Sequence, residues 1–169
     1  VLISRAFKSS LDIILFLSML IPNQQIDNIL NGEYEILESI NFDNDKINEN
    51  QLLFLYGLAE IDGEKANNYF IDYFNSTDNQ YDAEAAMKIG DFYYSKGLYL
   101  QSSNWYKKIT LNYSDFKHVD TAIGYYLNSL IIVGKKDSAE YYTNLFNKRY
   151  KKLKFNDKFL SIKKEKFNY

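Results

Sequence analysis

The 169-residue chain has no cysteine, one proline, seven glycines, one tryptophan and one histidine. Without cysteine it can form no disulfide, no thiolate nucleophile, no Cys-based zinc site and no lipid-modified cysteine. So little proline and glycine argues against an all-β fold, which needs turn residues at every reversal. With a single histidine, His118, there is no His-rich metal set, and the serines near it form no hydrolase motif; beside Asp120 it reads as a solvated loop residue. Phosphate-cradling glycine motifs are missing too. Asp43, Asp45 and Glu49 have a spacing loosely like a calcium loop, but Asn48 occupies the position where the sharp turn needs glycine, so they read as a solvated linker. Asn75-Ser76-Thr77 and Asn112-Tyr113-Ser114 fit the glycosylation pattern, as chance alone produces in a chain so rich in asparagine. Nothing here supplies a catalytic constellation, and neither a cofactor nor a metal is expected.

What is present is aromatic and helical. Sixteen tyrosines and twelve phenylalanines suit half-buried surfaces, where a ring is covered and a hydroxyl stays wet, although an AT-rich coding sequence also enriches them. The net charge of -2 conceals an acidic body and a basic tail: residues 147–169 hold nine Lys or Arg against Asp157 and Glu165. Lysines interleaved with Tyr150, Phe155, Phe159 and Phe167 can contact nucleic acid or an anionic membrane. They fit better a terminal helix whose Leu153, Phe159 and Ile162 cap the last repeat, or the start of a linker to a further domain. At the other end, Arg5 and Lys8 precede the apolar run Leu11–Ile21, closed by Pro22. Residues 1–22 read either as a secretory signal or as an apolar first helix, with Asp12 inside the run weakening the former. Membrane association is expected through this segment only.

Between these ends, apolar stripes at helical spacing alternate with short polar breaks. Gly32, Gly63, Gly97 and Gly134 punctuate them at intervals near 34 residues, a period that marks a helical repeat array. The best-formed unit is 83–116, where Ala86, Ile89-Gly90, Tyr93, Gly97, Tyr99, Ser102 and Tyr106 fall at fixed spacing. Gly90 and Ser102 leave room where two helices cross. Gly57, Gly63, Ala66 and Phe70 echo the pattern before it, and Gly134 and Ala139 after it. The three residues by which the following interval exceeds 34 are placed in a loop at 114–120.

In this unit the chain resembles tetratricopeptide repeats, departing from them at Ile109 and Ser114. The resemblance implies an all-α, short tetratricopeptide-like superhelix of antiparallel helix pairs, about three and a half repeats over 23–146, followed by a basic tail over 147–169. Residues 24–146 are similar to the repeat portion of bacterial envelope proteins, either the TolA-binding cell-division coordinator type or those in which repeats precede a SPOR domain. No SPOR domain is present, so peptidoglycan binding is not implied. That likeness implies a non-catalytic scaffold in the periplasm or cell envelope that binds other proteins. The alternative is a cytoplasmic adaptor whose basic tail contacts nucleic acid or an anionic membrane; nucleic acid is the less expected partner. Carried onto this chain, the repeat's groove positions are Glu84, Met87, Asp91, Tyr94 and Ser95, then Thr121, Gly124, Asn128, Ile131 and Ile132. Such a groove mixes carboxylates with apolar area and suits a basic or amphipathic segment.

Overall fold

A computed structural model describes residues 23–40, 47–76 and 80–151. Every element among them is an α-helix, so the fold is all-α as expected. The apolar run Leu11–Ile21, the carboxylates Asp43 and Asp45, and the tail from Lys152 lie outside the described residues. Among those described, no helix is long and apolar enough to cross a membrane. The chain divides into two compact units, Val1–Asn79 and Gln80–Tyr169.

In the first unit, helix α1 (23–30) buries Ile26 and Ile29. It ends at Gly32, whose φ of 105° places it in the left-handed region. The Gly32 and Glu33 amides reach back to the Ile29 and Asn28 carbonyls, both at 3.0 Å, which pairs acceptors of the last turn, Asn28 also accepting from the Asn31 amide at 3.1 Å. After the short α2 (Ile36–Ser39), α3 (Glu49–Ala59) opens on a capping box in which Asn48 and Gln51 exchange side-chain and backbone bonds. Helix α3 packs on α4 (Gly63–Asn75). Phe54 lies between Phe70 and Tyr73, at ring-centroid distances of 5.5 and 4.9 Å. A Cβ added at Gly57 would sit 2.8 Å from the Phe70 ring, so the glycine is what lets that ring reach the α3 backbone.

Gly63 does not play the role its spacing predicts. It opens α4 instead of forming a left-handed turn, because the Asp62 carboxylate already satisfies the free amides of Glu64 and Lys65 at 3.0 Å each. The reversal is made by extended residues around this cap. Asp62→Ala is expected to cost about 1 kcal/mol through loss of the N-cap, read as a shift in the denaturant midpoint.

The second unit is more regular. Helices α5 (Asp82–Ser95), α6 (Tyr99–Asn112), α7 (Val119–Ile132) and α8 (Lys136–Arg149) each have 14 residues. Helix α6 packs on α5 and on α7, and α7 on α8. The second pair repeats the first at a displacement of 37 residues, Asp82 to Val119 and Tyr99 to Lys136. Gly97 (φ 74°) and Gly134 (φ 77°) make equivalent turns. At each, the glycine amide bonds three residues back and the next amide five residues back: Gly97 to Tyr94 and Leu98 to Tyr93, Gly134 to Ile131 and Lys135 to Leu130. The connection between α6 and α7 runs over 113–118, longer than the turns at 96–98 and 133–135, which accounts for a period above 34.

The α5–α6 crossing is built on Gly90. Its carbonyl accepts from the Ser102 hydroxyl at 3.1 Å, and a Cβ there would lie 2.8 Å from the Tyr106 ring. Ala85, Ala86, Ile89, Tyr106, Ile109, Ala122, Ile123 and Phe146 are all fully buried in this core.

Candidate functional site

The groove residues expected on α5 and α7 separate into one assembled cluster and several residues apart from it. Asp91 and Tyr94, three apart on α5, share a helical face, as do Tyr125 and Asn128 on α7. Asn128 Nδ2 donates to the Tyr94 hydroxyl at 2.6 Å, joining the two helices. The Tyr106 hydroxyl from α6 donates to Asp91 Oδ1, also at 2.6 Å. Tyr94 meets Tyr99 and Tyr125 edge-on at 5.1 and 4.9 Å, and Tyr106 stacks on Tyr125 at 5.3 Å with an interplanar angle of 16°. Asp91, Tyr94 and Asn128 are therefore brought together, and Tyr99, Tyr106 and Tyr125 complete the cluster. Tyr99 and Tyr106 had been legible only as repeat positions. Tyr125 has no repeat signature, and its three-residue offset from Asn128 is the signal the sequence offers for it.

Tyr106 is buried while Tyr94, Tyr99, Tyr125 and Asn128 are half-buried, and Asp91 is exposed as a residue. The face thus presents ring surface and one carboxylate. Local desolvation raises the Asp91 pKa, with the Tyr106 hydrogen bond and the Lys88 charge opposing that rise. Burial also raises the Tyr94 pKa, partly offset by the bond from Asn128. Tyr106 is pushed far above the ordinary phenol range, first by burial and then by its bond to the Asp91 carboxylate. A carboxylate whose donor stays neutral across the working pH range keeps its hydrogen bond and hence its position.

The other expected residues lie elsewhere. Glu84 is in the first turn of α5, about 15 Å along the helix from Tyr94 at ~1.5 Å per residue. It lines a cleft of about 450 Å³ with Gln80, Ala83 and residues 112–117. Tyr113, also on that wall, donates to Asp82 Oδ2 at 3.1 Å. Met87 is half-buried between the two sites in sequence. The Ser95 hydroxyl turns back to the Phe92 carbonyl at 2.8 Å, and the Thr121 amide is held by Asp120 Oδ1 at 2.7 Å. Gly124 is buried, Ile131 half-buried and Ile132 exposed.

His118 precedes α7 as an exposed residue with its ring edge-on to Phe116 at 5.5 Å. No group of three or more metal-ligating side chains occurs among the described residues. Helix α8 continues past the expected boundary at 146, so Lys148 and Arg149 form its last turn. Arg149 donates to the Leu111 carbonyl at 3.0 Å and the Tyr150 hydroxyl to the Thr110 carbonyl at 2.7 Å. Both carbonyls belong to the last turn of α6, where helical partners run out. These two residues of the basic segment thus cap a helix. No protein-family model, curated protein or solved structure matches the chain, so the reading of this face rests on its own geometry.

Proposed function

We propose that the chain is a non-catalytic interaction scaffold of tetratricopeptide-like helix pairs, and that the face around Asp91, Tyr94 and Asn128 binds a basic segment of a partner protein. The observation that carries this reading is the joining of α5 and α7 by the Asn128–Tyr94 bond beside the Asp91 carboxylate. Equal 14-residue helices, a 37-residue displacement and matching glycine turns support the repeat architecture. The tyrosine faces suit a lysine or arginine stem and its charge, and Asp91 supplies the counter-charge. The periplasm or cell envelope as its site of action is proposed on the sequence resemblance of residues 24–146 alone.

Asp91→Asn separates charge from structure, because the amide oxygen can still accept from Tyr106. Together with Tyr94→Ala, it is expected to lower recovery of the partner in affinity capture about tenfold, or ~1.4 kcal/mol. Far-UV circular dichroism should remain that of the wild type. Undiminished recovery by the folded double variant would exclude this face as the binding surface.

A further inference from the structure

The end of the second unit that carries the α5–α6 and α7–α8 turns combines exposed aliphatic side chains with lysines. The Asn128–Tyr94 bond links α5 and α7 near these ends. One helical turn onward, Leu98 follows α5 and Ile132 closes α7, both at the level of the glycine turns. Leu98, Leu100 and Ile132 are 42, 46 and 48% exposed. Lys96, Lys135 and Lys136 are exposed around them. Lys96 also lies 5.5 Å from the Phe92 ring centroid. Across residues 95–101 and 131–137, Asp137 is the one acidic residue. Glu140 stands a turn deeper on α8.

We propose that this tip docks on the surface of an anionic lipid bilayer, with the three aliphatic side chains entering the headgroup–acyl boundary and the lysines at the phosphates. Aliphatic residues ringed by lysine are the composition of interfacial membrane binding. Protein interfaces instead deplete lysine and favour aromatics and arginine. The tip carries the two glycine turns and adjoins the tyrosine cluster through Tyr99, which lies between Leu98 and Leu100 in the chain. Lysine stems are long enough to lie along the buried aliphatic groups while their ammonium groups stay at the polar level. The inference does not depend on the partner-binding reading.

The native absence of cysteine permits a local test on the full chain. Leu98→Cys, labelled with an environment-sensitive fluorophore, is titrated with vesicles of phosphatidylcholine alone or mixed equally with phosphatidylglycerol. Tyr141→Cys on α8, where the native residue is 63% exposed, is the control position. The expected result is at least a twofold rise in emission at position 98 with the anionic vesicles only, and no change at 141. Lys96→Gln, Lys135→Gln and Lys136→Gln together should reduce vesicle partition about tenfold or more. No response at position 98, an equal response at both positions, or unchanged partition of the lysine variant would overturn the proposal. So would a response to soluble polyglutamate in place of vesicles, which would point to an acidic protein as the occupant.

Discussion

Gly90→Leu is expected to destabilise the second unit by about 1 to 3 kcal/mol, the cost of forcing extra volume into a packed crossing. The glycine lies under the Tyr106 ring, and an added Cβ would come within 2.8 Å of Cε1 and 3.0 Å of Cδ1 and Cζ. That ring has little freedom to withdraw. It is stacked on Tyr125 on another side, and its hydroxyl is held by Asp91 at 2.6 Å. In a domain of this size each kcal/mol corresponds to about 4 to 8 °C in melting midpoint, so thermal melts resolve the effect easily. Gly90→Ala poses a closer contest. Alanine gains about 1 kcal/mol in helix propensity but still meets the clamped ring, and the net change should be a smaller loss. Gly57→Leu should repeat the lesion in the first unit against Phe70. An unchanged midpoint for Gly90→Leu would mean that the α5–α6 crossing is not as close as described.

The same substitution ties fold to function. A Tyr106 ring displaced from Gly90 cannot keep both its stack on Tyr125 and its bond to Asp91. Gly90→Leu should therefore disturb the proposed binding face even in molecules that remain helical. Asp91→Asn, by contrast, should alter charge with little effect on packing.

Legibility in the sequence followed how local each feature is. Gly32, Gly97 and Gly134 were readable as helix ends because a left-handed backbone at a terminus strongly favours glycine. Gly90 and Ser102 were readable as a crossing because small residues at fixed spacing have few other uses inside a helix. Asp62-Gly63 does mark the break between α3 and α4, but Gly63 opens α4 and the capping falls to Asp62. The cluster was legible only in part. Asp91, Tyr94 and Asn128 share faces that repeat positions suggest, whereas the inclusion of Tyr125 and exclusion of Glu84 depend on how α5 and α7 are offset along their axes. That offset is set by packing on α6, which no local pattern records. The caps supplied by Arg149 and Tyr150 to α6 are likewise invisible, since they join residues 38 and 40 apart. A run of lysines suggests a solvated tail more readily than the place where it is anchored.

Alkaline unfolding should be steep, and its cause lies in the tyrosines that build the core. Tyr106 and Tyr126 are buried at 0 and 2% exposure, and burial raises both far above an unfolded phenol near pH 10. Tyr113 is raised to about 12, by burial and then by Asp82. Below pH 10 these groups are neutral in both states, and the stabilisation is fully present. Above it, the unfolded chain releases protons that the folded chain retains, so stability is lost as pH rises toward the folded pKa values. Two buried tyrosines alone give a slope of about 3 kcal/mol per pH unit, at ~1.4 kcal/mol per proton, which consumes an ordinary folding stability within a few pH units. Tyr142 acts in the opposite sense. The Lys107 ammonium lowers its pKa, so it favours folding as pH rises through that value, and its contribution is complete by the unfolded pKa. It cannot offset the loss above pH 10. Tyrosinate absorbance followed with far-UV ellipticity should show a group of tyrosines that ionises only as helicity disappears, as expected for rings as deeply buried as Tyr106 and Tyr126. Tyr106→Phe should make this transition shallower, because one of the retained protons is gone. A single titration near pH 10 with helicity intact would show instead that the buried hydroxyls reach water, and would remove the clamp on which the Gly90 crossing depends.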